Sequence, residues 1–150
     1  MIHTGYAGSA ALLFYYQFIC NLQPVIISGG RIHGYPHIKD SKYCKDLAPV
    51  LKWWWPWHCA THDNNKKIAY KWYEKYYINN ILNRKTPAVL YNELIKFGNG
   101  KDIVLCCVGE EQEYLFCHRH IVQNWFKNSD IQVAEFPHPN QYLLLPIKCK

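Results

Sequence analysis

The sequence lacks several features that mark whole classes of protein. No apolar run approaches the roughly 18 residues that cross a bilayer, and the opening segment 1–5 has no basic stretch of a signal peptide. A phosphate-binding loop, a paired-carboxylate motif and a nucleophile elbow are also missing. These absences predict a cytoplasmic protein with no membrane segment, and they favour binding over catalysis.

A disulfide framework is also missing. The chain has 7 cysteines, an odd number, scattered along 150 residues without a signal peptide. Such a pattern is typical of reduced thiols, most of which behave as small buried hydrophobic groups.

Acidic residues are few relative to basic ones. The 11 Asp and Glu against 17 Lys and Arg leave a net charge of +6, with the lysines dispersed along the chain. This surplus favours anionic partners such as nucleotides or nucleic acid, although a solvated basic surface gives the same balance. The hydrophobic share of 49% argues against disorder, and the length predicts one domain spanning residues 1–150.

The pattern of apolar segments predicts an α/β fold, a three-layer α/β/α sandwich with a mostly parallel central sheet. Residues 103–108 form a continuous apolar run, which indicates a central strand buried on both faces. The other predicted strands are 2–6, 25–28 and 131–136, and the predicted helices are 10–21, 65–82, 86–97 and 117–128. Residues 31–64 are predicted to form an irregular, Trp-rich insertion, and the tail to residue 150 adds an edge strand.

The step Cys117-His118-Arg119 opens the last predicted helix, directly after the loop that leaves the central strand. A helix N-terminus favours anions, and together with Arg119 it lowers the pKa of a thiol. The step is therefore interpreted as a phosphate or carboxylate site, or as a nucleophilic Cys117 with His118 as acid or base. The plainer alternative is a buried Cys, a capping His and a surface Arg.

Two further strand ends carry candidate ligand-binding residues. Cys106 and Cys107 must face opposite sides of the sheet, so one of them, taken as Cys107, can approach Cys117. Ser28 ends a buried strand and is followed by Gly29, Gly30 and Arg31, a junction of the type where open α/β sheets bind ligands.

The segment from Lys52 to Trp57 concentrates indole rings. Trp54 and Trp57 are the candidates for stacking on a base, since flat rings beside a lysine suit a nucleotide. Packing in the core or a contact between subunits would explain the same residues.

A metal site is the weaker interpretation of a second cluster. Cys59 and His62 have a spacing that can bind zinc, with His58 beside them. The second pair of ligands is missing unless Cys117 and His118 or His120 supply it through the fold. We therefore predict no metal and no cofactor.

Several motifs resemble one bacterial and phage family. They are Thr4-Gly5-Tyr6, Ile27-Ser28, the loop residues Tyr43, Lys45, Leu47, Ala48 and Pro49, Tyr73 with Tyr77, the strand 103–107, and Phe116-Cys117-His118-Arg119 with Trp125-Phe126. Over residues 2–136 the chain resembles the domain of unknown function 488 family, which implies an α/β/α sandwich without a settled activity. An acidic residue that this family has just after the strand is displaced here, to Glu110 or Glu111.

The function expected from these observations is binding of a phosphorylated, nucleoside-like small molecule at the carboxyl ends of the strands, as in a phage-encoded decoy that sequesters a nucleotide signal. The site would combine Ser28 and Arg31 with Cys107, Cys117, His118 and Arg119. The alternatives are a Cys/His-dependent enzyme acting on a nucleotide or base, and a basic, Trp-rich module for nucleic acid or protein, which includes self-association.

Overall fold

The computed structural model describes residues 1–6, 10–28, 42–49, 66–107 and 117–137. Five strands form one sheet in which all pairings are parallel, in the order β3-β2-β4-β1-β5. The strands are β1 (Ile2–Tyr6), β2 (Gln23–Ile26), β3 (Lys42–Tyr43), β4 (Ile103–Cys107) and β5 (Ala134–Glu135). The predicted α/β class with a parallel central sheet is confirmed.

The helices cover both faces of this sheet. They are α1 (Ala10–Phe14), which continues as a π-helical turn (Tyr15–Ile19), then α2 (Lys66–Asn80), α3 (Pro87–Phe97) and α4 (His118–Lys127). Helices α2, α3 and α4 share one apolar core with one face of the sheet, whereas α1 and its π-helical turn share a second core with the other face. Three layers result, as the sequence predicts.

Strand β4 is the middle strand of the five, and every residue in it is buried. Its side chains alternate between the two cores: Leu105 and Cys107 face α2 and α4, while Val104 and Cys106 face α1. This confirms the prediction that Cys106 and Cys107 lie on opposite faces.

The helix boundaries follow local signals where these are strong. Thr86 caps α3 by accepting a hydrogen bond from the Val89 amide, and Pro87 occupies the first turn. The first predicted helix differs, since the α-helical part ends at Phe14 and five residues follow in π-helical form before Cys20 ends the element. The last predicted strand is also shorter, because only Ala134 and Glu135 pair with β1.

The described part of the predicted insertion contributes two short elements. Lys42 and Tyr43 form the edge strand β3, paired with β2, and Lys45–Leu47 form a short 3-10 turn. The rest of the insertion and the predicted edge strand of the tail lie outside the described residues. Among the described helices, each is too short or too polar to span a lipid bilayer.

Candidate functional site

Strands β1 and β4 end side by side, and the space outside their carboxyl ends is called the crevice below. Tyr6, the last residue of β1, is in register with Cys107, the last residue of β4. The chain passes from β1 to α1 on one face of the sheet, and after β4 it reaches α4 on the opposite face. Adjacent parallel strands whose connections diverge in this way form a topological switch point, the usual place for a ligand in an open α/β sheet.

His118 joins the start of α4 to two strand ends. Its Nε2 lies 2.8 Å from the carbonyl oxygen of Ile27, just beyond the end of β2. A carbonyl oxygen only accepts hydrogen bonds, so Nε2 carries the proton. Burial lowers the pKa of His118 below its usual 6.5, so the ring is neutral and Nδ1 has a lone pair. That lone pair faces the Sγ of Cys107 at 3.3 Å.

The two predicted cysteines meet beside this ring. Cys107 and Cys117 are both buried, and the Cys117 thiol donates a hydrogen bond to Cys107. With the Cys107 thiol donating to His118, the hydrogen bonds run in one direction from Cys117 through Cys107 to His118 and the Ile27 carbonyl. The predicted approach of Cys107 to Cys117 is confirmed.

The predicted activation of Cys117 is wrong. The hydrogen bond that this thiol donates to Cys107, together with burial, raises its pKa well above the usual range. The positive charge of Arg119 acts in the predicted, lowering direction but is outweighed. Cys117 is therefore a protonated thiol at neutral pH, and a catalytic role for Cys117 or His118 stays a prediction.

Arg119 is buried, with only 1% of its surface exposed, so the alternative of a surface arginine is wrong. Its guanidinium donates from Nη1 to the Sγ of Cys117 at 3.3 Å and from Nε to Glu135 at 3.0 Å, and it lies over the ring of Tyr6. Burial alone would lower the pKa of Arg119, but its neighbours raise it, the Glu135 carboxylate by both its charge and its hydrogen bond, so the side chain remains a cation.

Glu135 and Thr4 complete the site, and sequence reasoning did not assign either to it. One carboxylate oxygen of Glu135 accepts from Arg119, and the other accepts from the buried Thr4 hydroxyl at 2.6 Å. The family resemblance predicts an acidic residue shortly after β4, at Glu110 or Glu111. Both of these residues lie outside the described part of the chain. The sequence did contain one signal for Glu135, which is a charged residue within the last predicted strand. In the structure Glu135 is paired with Thr4 of the neighbouring strand β1.

The remaining predicted ligand residues divide into two groups. Ser28 is buried and directly follows Ile27, whose carbonyl accepts from His118, and the Ser28 carbonyl accepts from the Tyr43 hydroxyl. The other predicted residues, Gly29, Arg31, Trp54 and Trp57, lie outside the described residues, as do His58, Cys59 and His62 of the predicted zinc site.

Two tyrosines of α2 close the site on the core side. Tyr73 and Tyr77 are buried, and the Tyr77 ring lies 5.5 Å from the His118 ring, measured between centroids. The Tyr77 hydroxyl donates to the carbonyl of Leu47. The thiols and the imidazole are thus enclosed by aromatic rings, which keeps the local dielectric constant low.

Comparison with known proteins adds nothing to these observations: no protein-family model, no curated protein and no solved structure matches the chain. The resemblance to the domain of unknown function 488 family therefore stays a prediction.

Proposed function

We propose that the chain binds an anionic, nucleotide-like small molecule in the crevice between the carboxyl ends of β1 and β4. The observation that carries this proposal is the switch point itself, at which Tyr6 and Cys107 end adjacent strands whose connections leave to opposite faces. Open α/β sheets bind their ligands outside such a point.

The charges around the crevice support an anionic ligand. Arg119 places a buried guanidinium beside Tyr6, and α4 directs the positive end of its dipole to the same edge of the sheet. Glu135 forms an ion pair with Arg119, so an anionic ligand competes with this carboxylate for the guanidinium. The ten residues of α4 supply a helix long enough to carry a substantial dipole.

Binding without turnover fits the state of Cys117 better than catalysis through that residue. A protonated, buried thiol is a poor nucleophile, and the pKa of Cys117 is raised rather than lowered. A protein of this kind sequesters a nucleotide signal, the role that a phage-encoded decoy plays in the cytoplasm. Stacking of Trp54 or Trp57 on the base belongs to the same proposal.

Calorimetry against a panel of mono-, di- and cyclic nucleotides tests the proposal. Glu135→Gln frees the Arg119 guanidinium for the ligand, so binding should tighten by about threefold to tenfold, the effect of one nearby unit charge. Asp130→Asn is the matched control, because it makes the same change of charge at an exposed position after α4. This control should change the affinity by less than about twofold.

Equal effects of Glu135→Gln and Asp130→Asn would show that only the overall positive charge attracts the ligand. Absence of heat with every nucleotide would contradict the proposal. Binding to single-stranded nucleic acid that falls steeply with salt and survives Glu135→Gln unchanged would favour the alternative of a nucleic-acid module.

A further inference from the structure

Three potential metal ligands converge inside the site. The Sγ of Cys107, the Sγ of Cys117 and one imidazole nitrogen of His118 all lie within 4.8 Å of one another. In a tetrahedral zinc site, ordinary bond lengths place a sulfur and a nitrogen ~3.6 Å apart and two sulfurs ~3.8 Å apart. The observed separation of 3.3 Å between Cys107 Sγ and His118 Nδ1 differs from this by only a few tenths of an ångström.

The imidazole already has the orientation that a metal ligand requires. A histidine that binds a metal through one nitrogen almost always donates its other N–H to a carbonyl or carboxylate, which fixes the tautomer. His118 donates from Nε2 to the Ile27 carbonyl and points the lone pair of Nδ1 at the sulfurs. The anchor is backbone, so its position is set by the sheet rather than by a flexible side chain.

We propose that Cys107, Cys117 and His118 bind one zinc ion through two thiolates and a neutral imidazole. The zinc ion and the two thiolates together carry no net charge, which suits a site whose three ligands are buried. Arg119 donates from Nη1 to Cys117, a hydrogen bond that becomes stronger when the sulfur is a thiolate. Three protein ligands leave a fourth position for water or a small ligand.

The proposed ligand set differs from the one considered from the sequence. There the zinc pair was Cys59 and His62, which lie outside the described residues. The fold instead brings Cys107 to Cys117 and His118, a combination that has no recognisable spacing along the chain. Cys106 provides a matched control, because it is as buried as Cys107 but faces the opposite core.

Metal titration of the full chain, stripped with a chelator and kept reduced, tests the proposal. Zinc should bind with a stoichiometry of one, measured by competition with a coloured chelator, and cobalt should give thiolate-to-metal charge-transfer and tetrahedral d–d absorption. Cys107→Ser, Cys117→Ser and His118→Gln should each weaken zinc binding by more than about 100-fold, beyond the loss typical of an outer-shell residue. Cys106→Ser should bind as the unaltered chain does.

X-ray absorption at the zinc edge of the unaltered chain provides a readout that does not depend on the folding of any variant. A first shell with two sulfurs and at least one nitrogen supports the proposal, whereas a shell of nitrogen and oxygen alone overturns it. The proposal is also overturned if no zinc binds, if Cys59→Ser abolishes binding while Cys107→Ser retains it, or if peptide mapping finds a Cys107–Cys117 disulfide in the reduced preparation.

Discussion

The Nδ1 atom of His118 lies 3.3 Å from the Sγ of Cys107, with the two residues 11 positions apart in the chain. This contact joins the start of α4 to the end of β4, and the bond from His118 Nε2 to the Ile27 carbonyl adds the end of β2. One neutral imidazole therefore connects three elements at the edge of the sheet where the crevice lies.

Stability should depend on pH through His118. Burial lowers the folded-state pKa of this residue below 6.5, so the unfolded chain binds a proton more readily. The contribution of neutral His118 to stability is fully present above about pH 6.5 and is lost as the pH falls from there towards the folded-state pKa. In the metal-free protein, the free energy of unfolding should fall more steeply with decreasing pH than in His118→Gln.

The difference in slope should reach at most about 1.4 kcal/mol per pH unit, the limit for one proton. Urea unfolding at several pH values between about 5 and 7.5 measures it. His3, whose pKa is also lowered, chiefly by burial, is the same in both proteins, so its contribution cancels in the comparison. The pKa of His120 is lowered chiefly by burial and only to a minor extent by His118, so its contribution changes little. Identical slopes would show that His118 is not held neutral by the fold.

Arg119→Ala should destabilise the chain strongly. The substitution removes a side chain that is 1% exposed, breaks its ion pair with Glu135 and leaves a cavity beside Tyr6. The expected loss is about 3 kcal/mol, the lower end for breaking a buried pair, because Glu135 retains some contact with water. Lys85→Ala, which breaks partly exposed ion pairs with Asp46 and Glu93, should cost far less in the same urea titration.

Alkylation rates should follow burial rather than position at a helix start. Cys20 is partly exposed, whereas Cys106, Cys107 and Cys117 are buried. In the reduced, metal-free protein, Cys20 should react with a neutral alkylating reagent well before these three, as read by peptide mass spectrometry. Labelling that begins at Cys117 would mean that this thiol is exposed and activated, contrary to its raised pKa.

Gly5→Ala should destabilise the sheet beside the crevice. A Cβ at this position would lie 2.8 Å from a methyl carbon of Val104 and 3.0 Å from the Tyr16 hydroxyl oxygen. Crowding of this kind in a packed core costs about 1–3 kcal/mol. Val104→Ala removes the nearer atom, so the double variant should lose less stability than the sum of the two single losses. Strict additivity would show that Gly5 is not confined by Val104.

The fold was largely predictable because its signals are local. The unbroken apolar run of β4 indicates burial on both faces, and Thr86 with Pro87 marks the start of α3. The opposite orientations of Cys106 and Cys107 follow from the two-residue repeat of a strand. The pairing of Lys42 and Tyr43 with β2 was not predictable, since a two-residue edge strand has no periodicity of its own.

Several residues of the site were predictable from the sequence, but the charge states of those residues were not. The helix dipole and the adjacent Arg119 predicted a lowered pKa for Cys117. In the structure the hydrogen bond to Cys107 and burial raise this pKa instead. Both opposing effects arise from tertiary packing, which spacing along the chain does not encode. The same is true of Glu135, which reaches Arg119 only because β5 pairs with β1.

NMR shows whether a nucleotide-like anion binds between the ends of β1 and β4. Nucleotide is titrated into ¹⁵N-labelled protein and the backbone amide shifts are mapped onto the sequence. The account predicts the largest shifts at Tyr6, Cys107 and the first turn of α4, with little change at Val89 and Lys96 on α3. Shifts concentrated on the exposed lysines Lys71 and Lys75 of α2, or none at saturating nucleotide, would contradict it.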